Sequence, residues 1–165
     1  MDYREARQGE IPFLQEFIQE HGVNQWNYLP AEGLSEEFAL IISGDALALC
    51  VFAGVQLAGF ALLIRGEACP EALAEYDDLA RICFVAEVVV SDDHAGNGLG
   101  AELLRRCVAE ARAGGFSSLY AWRHEENLAS AGMMRKAGFE FVTSYCDPEQ
   151  RSTGSQRTTV ERFSI

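Results

Sequence analysis

Apolar residues recur along this chain with two different periods. Ile11, Leu14, Phe17 and Ile18 fall on one helical stripe within residues 10–21, and Gly22 stops it. Residues 35–42 suggest a second, shorter helix with Ser35 as its N-cap. Two apolar runs, 46–52 and 56–65, flank Ala53-Gly54 and predict a hairpin. The run ICFVAEVVV, residues 82–90, predicts a buried strand interrupted only by Glu87. Behind it, residues 98–113 place Leu99, Leu103, Cys107 and Ala111 on one stripe, with Leu104 and Val108 beside it. Glu102, Arg106 and Glu110 form a solvated row on the same helix. A short strand at 118–122, a helix at 128–136 and a terminal β pair at 139–146 and 158–165 complete the series. Strand and helix alternate only in the middle, between antiparallel hairpins. This predicts an α/β (α+β) domain: one mixed sheet in three layers, spanning residues 1–165 as a single unit.

Between the strand at 82–90 and the helix behind it lies SDDHAGNGLG, with glycines at 96, 98 and 100. Strand, glycine loop and helix is an arrangement that binds phosphate. Glycines let backbone N–H groups close on an anion, and the helix adds its positive end. A Walker loop needs Gly-Lys-Ser/Thr, which is missing here. A dinucleotide fingerprint fits only weakly, with Ala101 or Leu103 at the third glycine position, and the loop follows a mid-chain strand rather than a first one.

Composition narrows the partners. The 165 residues are 48% hydrophobic and 23% charged, enough for one globular core. A net charge of −12 repels nucleic acid and anionic membranes and favours cationic amines. No apolar run reaches the length of a membrane span, and the charged MDYREARQGE lacks the core of a secretion signal. Cysteines at 50, 69, 83, 107 and 146 show neither metal nor redox spacing, and the three histidines are scattered, so no metal site is expected. Cys50, Cys83 and Cys107 lie in apolar runs and read as buried hydrophobes of a reducing compartment, the cytoplasm. The long acidic segment 66–81 carries Pro70 and reads either as a functional loop or as a solvated one.

The stretch VVVSDDHAGNGLGAELL, followed by NLASAGMMRKAGFEFV, resembles the GNAT superfamily of acetyl-CoA-dependent N-acetyltransferases. Val90 ends the strand, Ala95-Gly96-Asn97-Gly98-Leu99-Gly100 fills the six-residue loop, Asn127 takes the Asn position, and Gly138-Phe139 is the closing pair. These motifs cover residues 82–142, and the order of elements extends the match over nearly the whole chain. The resemblance implies a largely antiparallel sheet of six or seven strands, helices on both faces, and a splay between the fourth and fifth strands where acetyl-CoA enters. It implies transfer of acetyl from acetyl-CoA to a primary amine. Two positions depart from the family pattern: Ala95 replaces Arg/Gln, and Met134 replaces a Tyr that serves many members as general acid.

Carried over residue by residue, the resemblance puts the pantetheine arm against the backbone of Val88, Val89 and Val90. It puts the pyrophosphate on the N–H groups of Ala95, Gly96, Asn97, Gly98, Leu99, Gly100 and Ala101. Asn127 reads as an N-cap, and the resemblance adds a contact to the cofactor. Met133 and Met134 read as core residues, with Met134 at the cofactor by alignment. Glu87 is the candidate base, because a carboxylate in an apolar strand is partly desolvated; the plain alternative is a solvated or Arg-paired Glu. Trp26 and Tyr28 fall where the resemblance puts the acceptor wall, or else cover the core. Tyr120 and Tyr145 carry hydroxyls of the right chemistry, and the sequence does not place them. The acceptor reads as a small cationic amine. A protein N-terminus, a lysine side chain, and a cofactor-binding sensor domain with weak catalysis stay open, as does a homodimer through the C-terminal strands.

Overall fold

The computed structural model describes residues 1–165. In chain order the elements are β1 (Asp2–Glu5), α1 (Ile11–His21), α2 (Ala31–Ser43), β2 (Ala46–Ala53), β3 (Gln56–Arg65), β4 (Ile82–Val90), α3 (Leu99–Ala113), β5 (Ser118–His124), α4 (Leu128–Lys136), β6 (Glu140–Cys146) and β7 (Arg157–Ser164). The seven strands form one sheet in the order β1-β2-β3-β4-β5-β7-β6. Every neighbouring pair is antiparallel except β4 and β5. α2 begins at Ala31, behind Pro30, so Ser35 lies inside the helix rather than capping it. Proline at that point supplies a fixed φ and the helix starts without a side-chain cap. β1 escapes sequence reading because its four residues, DYRE, show little alternation.

Period-two alternation in β2 and β3 divides the interior into two layers. Ala48, Cys50, Phe60 and Leu62 face the stripe Leu14, Phe17 and Ile18 of α1 and Phe38 of α2. Leu49, Val51, Ala61 and Leu63 face Leu103, Leu104 and Cys107 of α3, with Met134 of α4 in the same layer. Helices therefore cover both faces, as the sequence pattern predicts. Cys50, Cys69, Cys83 and Cys107 are buried and Cys146 is exposed; none is paired.

Two irregularities of β4 shape the site. Its pairing with β3 shifts register: Leu62 lies opposite Glu87, while Leu63 lies opposite Val85. Ala86 is the extra residue of a β-bulge, which bends the strand and reverses which face the following side chains occupy. Ala86 and Val89 thus belong to the α1–α2 layer, and Val88 and Val90 to the α3–α4 layer. Glu87 falls on the same face as Val89. Pairing with β5 ends at Val85 opposite Ala121, and beyond it the two strands separate. The splay begins where the bulge begins.

The candidate active site

A cavity of about 590 Å³ opens at this splay. Its walls come from the α1–α2 loop and α2 (Tyr28, Glu37, Leu40), β4 (residues 84–88), β5 (Trp122), α4 (Ser130, Met133, Met134) and the β6–β7 loop (Arg151). Ala68 and Pro70 also line it. The 66–81 segment is therefore part of the cavity wall, and its Leu73 is fully buried beneath.

Glu87 and Glu37 line this cavity together. No formed hydrogen bond joins them, and Glu37 Oε2 is buried without a partner. Burial pushes Glu87 well above the usual carboxylate range, and the negative charge of Glu37 adds to the shift; Arg151 opposes it. Burial likewise lifts Glu37 to about 7, with the contact to Glu87 pulling it partly back. Two carboxyls in one poorly solvated wall disfavour being ionised together. Glu37 and Arg151 escaped the sequence reading. Glu37 looked like one of two charges, Glu36-Glu37, at the start of an amphipathic stretch, and Arg151 lay in a polar loop without a motif.

The glycine loop ends at the N-terminus of α3. Gly96 and Gly98 have φ of 79° and 77°, a left-handed geometry that favours glycine. The Ala95 N–H donates to Asp92 O at 3.4 Å, and Glu102 N–H closes the first helical bond to Gly98 O. The N–H groups from Gly96 to Ala101 have no protein acceptor, which leaves a fan of donors at the positive end of a helix. Gly100 has a different reason to be glycine: a Cβ there would collide with the Met133 sulfur, so it sets the α3–α4 approach.

Ser91 N–H donates to Ala58 O of β3. Alternation along an antiparallel strand then turns the peptide groups of Val88 and Val90 toward the splay, and that of Val89 toward β3. Asn127 caps α4: its Oδ1 accepts from Ser130 N–H at 3.1 Å, leaving the amide donors free. Met134 is 4% exposed, packed in the α3–α4 layer at the cavity floor, and Met133 is half-buried beside it.

Tyr28 lines the cavity, whereas Trp26 does not. Trp26 instead packs on the His124 ring at 4.7 Å. The buried His124 donates from Nε2 to Thr153 O at 2.7 Å and accepts the Glu126 N–H on Nδ1, a neutral tautomer fixed by its partners. Neither Tyr120 nor Tyr145 lines the cavity; the Tyr120 hydroxyl is spent on Asp77 Oδ2 at 3.1 Å. The hydroxyl that does face the cavity on α4 belongs to Ser130, one turn before Met134.

The fold that carries this site is shared with known proteins. The model of the acetyltransferase (GNAT) family matches residues 13–139. The chain belongs to the GNAT family. The GNAT fold extends over its full length: the ribosomal-protein-alanine N-acetyltransferase of Brucella melitensis superimposes with a TM-score of 0.76 at 19% identity, covering 100% of both chains. The protein yncA of Salmonella typhimurium, solved with its cofactor acetyl-CoA, gives 0.76 at 19% identity, covering 99% of this chain and 92% of the other. Among curated relatives, an L-methionine sulfoximine/L-methionine sulfone acetyltransferase of Pseudomonas paraeruginosa is 36% identical over 89 residues. That match takes in 50% of this chain, which spans about half the length, 52%, of the relative. No helix is long and apolar enough to cross a membrane.

Proposed function

We propose that the protein is an acetyl-CoA-dependent N-acetyltransferase acting on the primary amine of a small molecule. The observation that carries this reading is the β4–β5 splay, with the Glu87 carboxyl just beyond its last strand pair. Acetyl-CoA fits as co-substrate: the donor fan from Gly96 to Ala101 suits a pyrophosphate, and the exposed peptide edges of Val88 and Val90 suit the amides of a pantetheine arm. The relative's activity on methionine sulfoximine and sulfone supports amine acetylation. Five unpaired cysteines support a reducing compartment, the cytoplasm.

In this reading the Glu37–Glu87 pair attracts the acceptor as its ammonium ion. The ammonium stabilises the ionised form of the pair, and Glu87 takes the proton as the amine approaches the thioester carbon. Nitrogen–carbon bond formation drives the carbonyl electron pair onto oxygen; that pair returns as the carbon–sulfur bond breaks, the thiolate leaves, and the second proton of the nitrogen passes to the sulfur. Met134 has no proton to give. Ser130, which lines the cavity one turn before Met134, is our candidate to serve the sulfur, directly or through water. A buried thioether at this position also favours a second reading, a cofactor-binding domain with slow turnover. Steady thiol release from acetyl-CoA across a panel of amines supports the first reading. Binding of acetyl-CoA without turnover supports the second.

A further inference from the structure

On the reading that the protein acetylates an amine, we propose that the acceptor is an amino carboxylate, an α-amino acid bound as its zwitterion, with its carboxylate on Arg151 and its ammonium on Glu87 and Glu37. Arg151 is the one buried arginine, 8% exposed, and it makes no ion pair. Its Nε donates to Thr158 Oγ1 at 2.9 Å and its Nη1 to Trp26 O at 3.1 Å. Both partners are neutral. Thr158 passes its own proton to Asp147 Oδ2 at 2.7 Å, so the nearest acid reaches the guanidinium only through a hydroxyl. Nη2 has no protein acceptor.

A buried guanidinium held by neutral groups on two nitrogens and open on the third is an unfinished anion site. Trp122 supplies a second observation. It lines the same cavity, and its buried indole N–H has no acceptor. Donors therefore come from β5 and the β6–β7 loop, while the carboxyls come from α2 and β4. The carboxyl pair offers a site for an ammonium and Arg151 a site for a carboxylate, the complement of a zwitterion; the exposed Glu36 also lies on the wall. A purely cationic amine would leave Arg151 and the Trp122 N–H unanswered and would meet repulsion from the guanidinium. Leu40, Pro70 and Phe84 add an apolar stretch of lining that suits an uncharged side chain.

The test uses matched acceptors: L-methionine and L-phenylalanine against their decarboxylated amines, 3-(methylthio)propylamine and phenethylamine. Thiol release is followed for the wild type, Arg151→Met and Arg151→Lys. The wild type is expected to favour each amino acid over its amine by roughly 10²-fold or more in kcat/KM. Arg151→Met collapses that ratio, chiefly through KM, and Arg151→Lys restores part of it. Thermal stabilisation by acetyl-CoA verifies that each variant folds. Equal use of amine and amino acid by the wild type overturns the proposal. So does an Arg151→Met variant that loses both acceptors equally, which would confine Arg151 to holding Glu87 and the Trp26 loop. If no acceptor releases thiol, the acetyl-transfer reading fails on its own. Added stabilisation of the acetyl-CoA complex by the amino acids, but not by the amines, still upholds zwitterion binding; its absence overturns it.

Discussion

Arg151 Nη1 donates to the carbonyl oxygen of Trp26 across 125 residues of sequence. The same loops are tied again by the Thr153 hydroxyl, which donates to Gln25 O at 2.9 Å. These two bonds close one wall of the cavity between the α1–α2 loop and the β6–β7 loop. Trp26 thus acts through its backbone, while Tyr28, two residues on, contributes a side chain.

Glu87→Gln is expected to lower turnover by roughly 10²-fold or more, the usual scale for a general base, with acetyl-CoA affinity nearly intact. The deficit shrinks at high pH, where more of the amine is already neutral. Steady-state rates from pH 6 to 10 measure this. Equal turnover in wild type and variant throughout removes Glu87 from the chemistry.

The carboxyl pair also sets a pH dependence of stability. Burial raises Glu37 from 4.5 to about 7 in the folded protein, so between those values the native state binds more protons than the unfolded chain. Stability is therefore fully present below about pH 4.5 from this group and is lost as pH rises through 7, by up to about 3 kcal/mol. Glu37→Gln removes that loss. Urea midpoints at pH 5 and pH 8 should lie closer together in the variant than in the wild type, and burial of Glu87 keeps a remaining difference in both. A wild type equally stable at both, after allowance for other groups, means the pair is better solvated than its surroundings suggest.

Gly98 and Gly100 separate binding from packing. Gly98 holds φ at 77° beside the donor fan. Gly98→Val costs about 1–2 kcal/mol of strain and also weakens acetyl-CoA binding, because the branched side chain crowds the N–H groups. Gly100→Ala drives a methyl into the Met133 sulfur and is expected to cost about 1–3 kcal/mol of fold stability. Denaturation midpoints and acetyl-CoA titrations on both variants resolve the two effects. Unchanged affinity in a folded Gly98→Val protein would move the phosphates elsewhere.

Met134→Tyr restores the family's hydroxyl but is expected to destabilise the protein, by about 1–3 kcal/mol, because Met134 is packed between α3 and α4. If the variant folds, thiol loss should quicken and the effect of Ser130→Ala should fall. A Tyr variant with wild-type stability and unchanged rate would show that proton supply to the sulfur does not limit turnover.

Local pattern determined much of this protein. The apolar run of β4, the glycine loop, the α3 stripe and the Asn127 cap were legible because each depends on residues within about a turn or a strand pair of one another. Glu87 stood out for the same reason, as a charge in a β-branched run. Which way it points was decided by the bulge at Ala86, and a bulge exists only against the partner strand β3. Glu37 and Arg151 became site residues only when α2 and the β6–β7 loop were brought over the same splay. Desolvation is a property of the assembled wall. No periodicity in the chain distinguishes a carboxylate or guanidinium that folding will strip of water from one that stays on the surface.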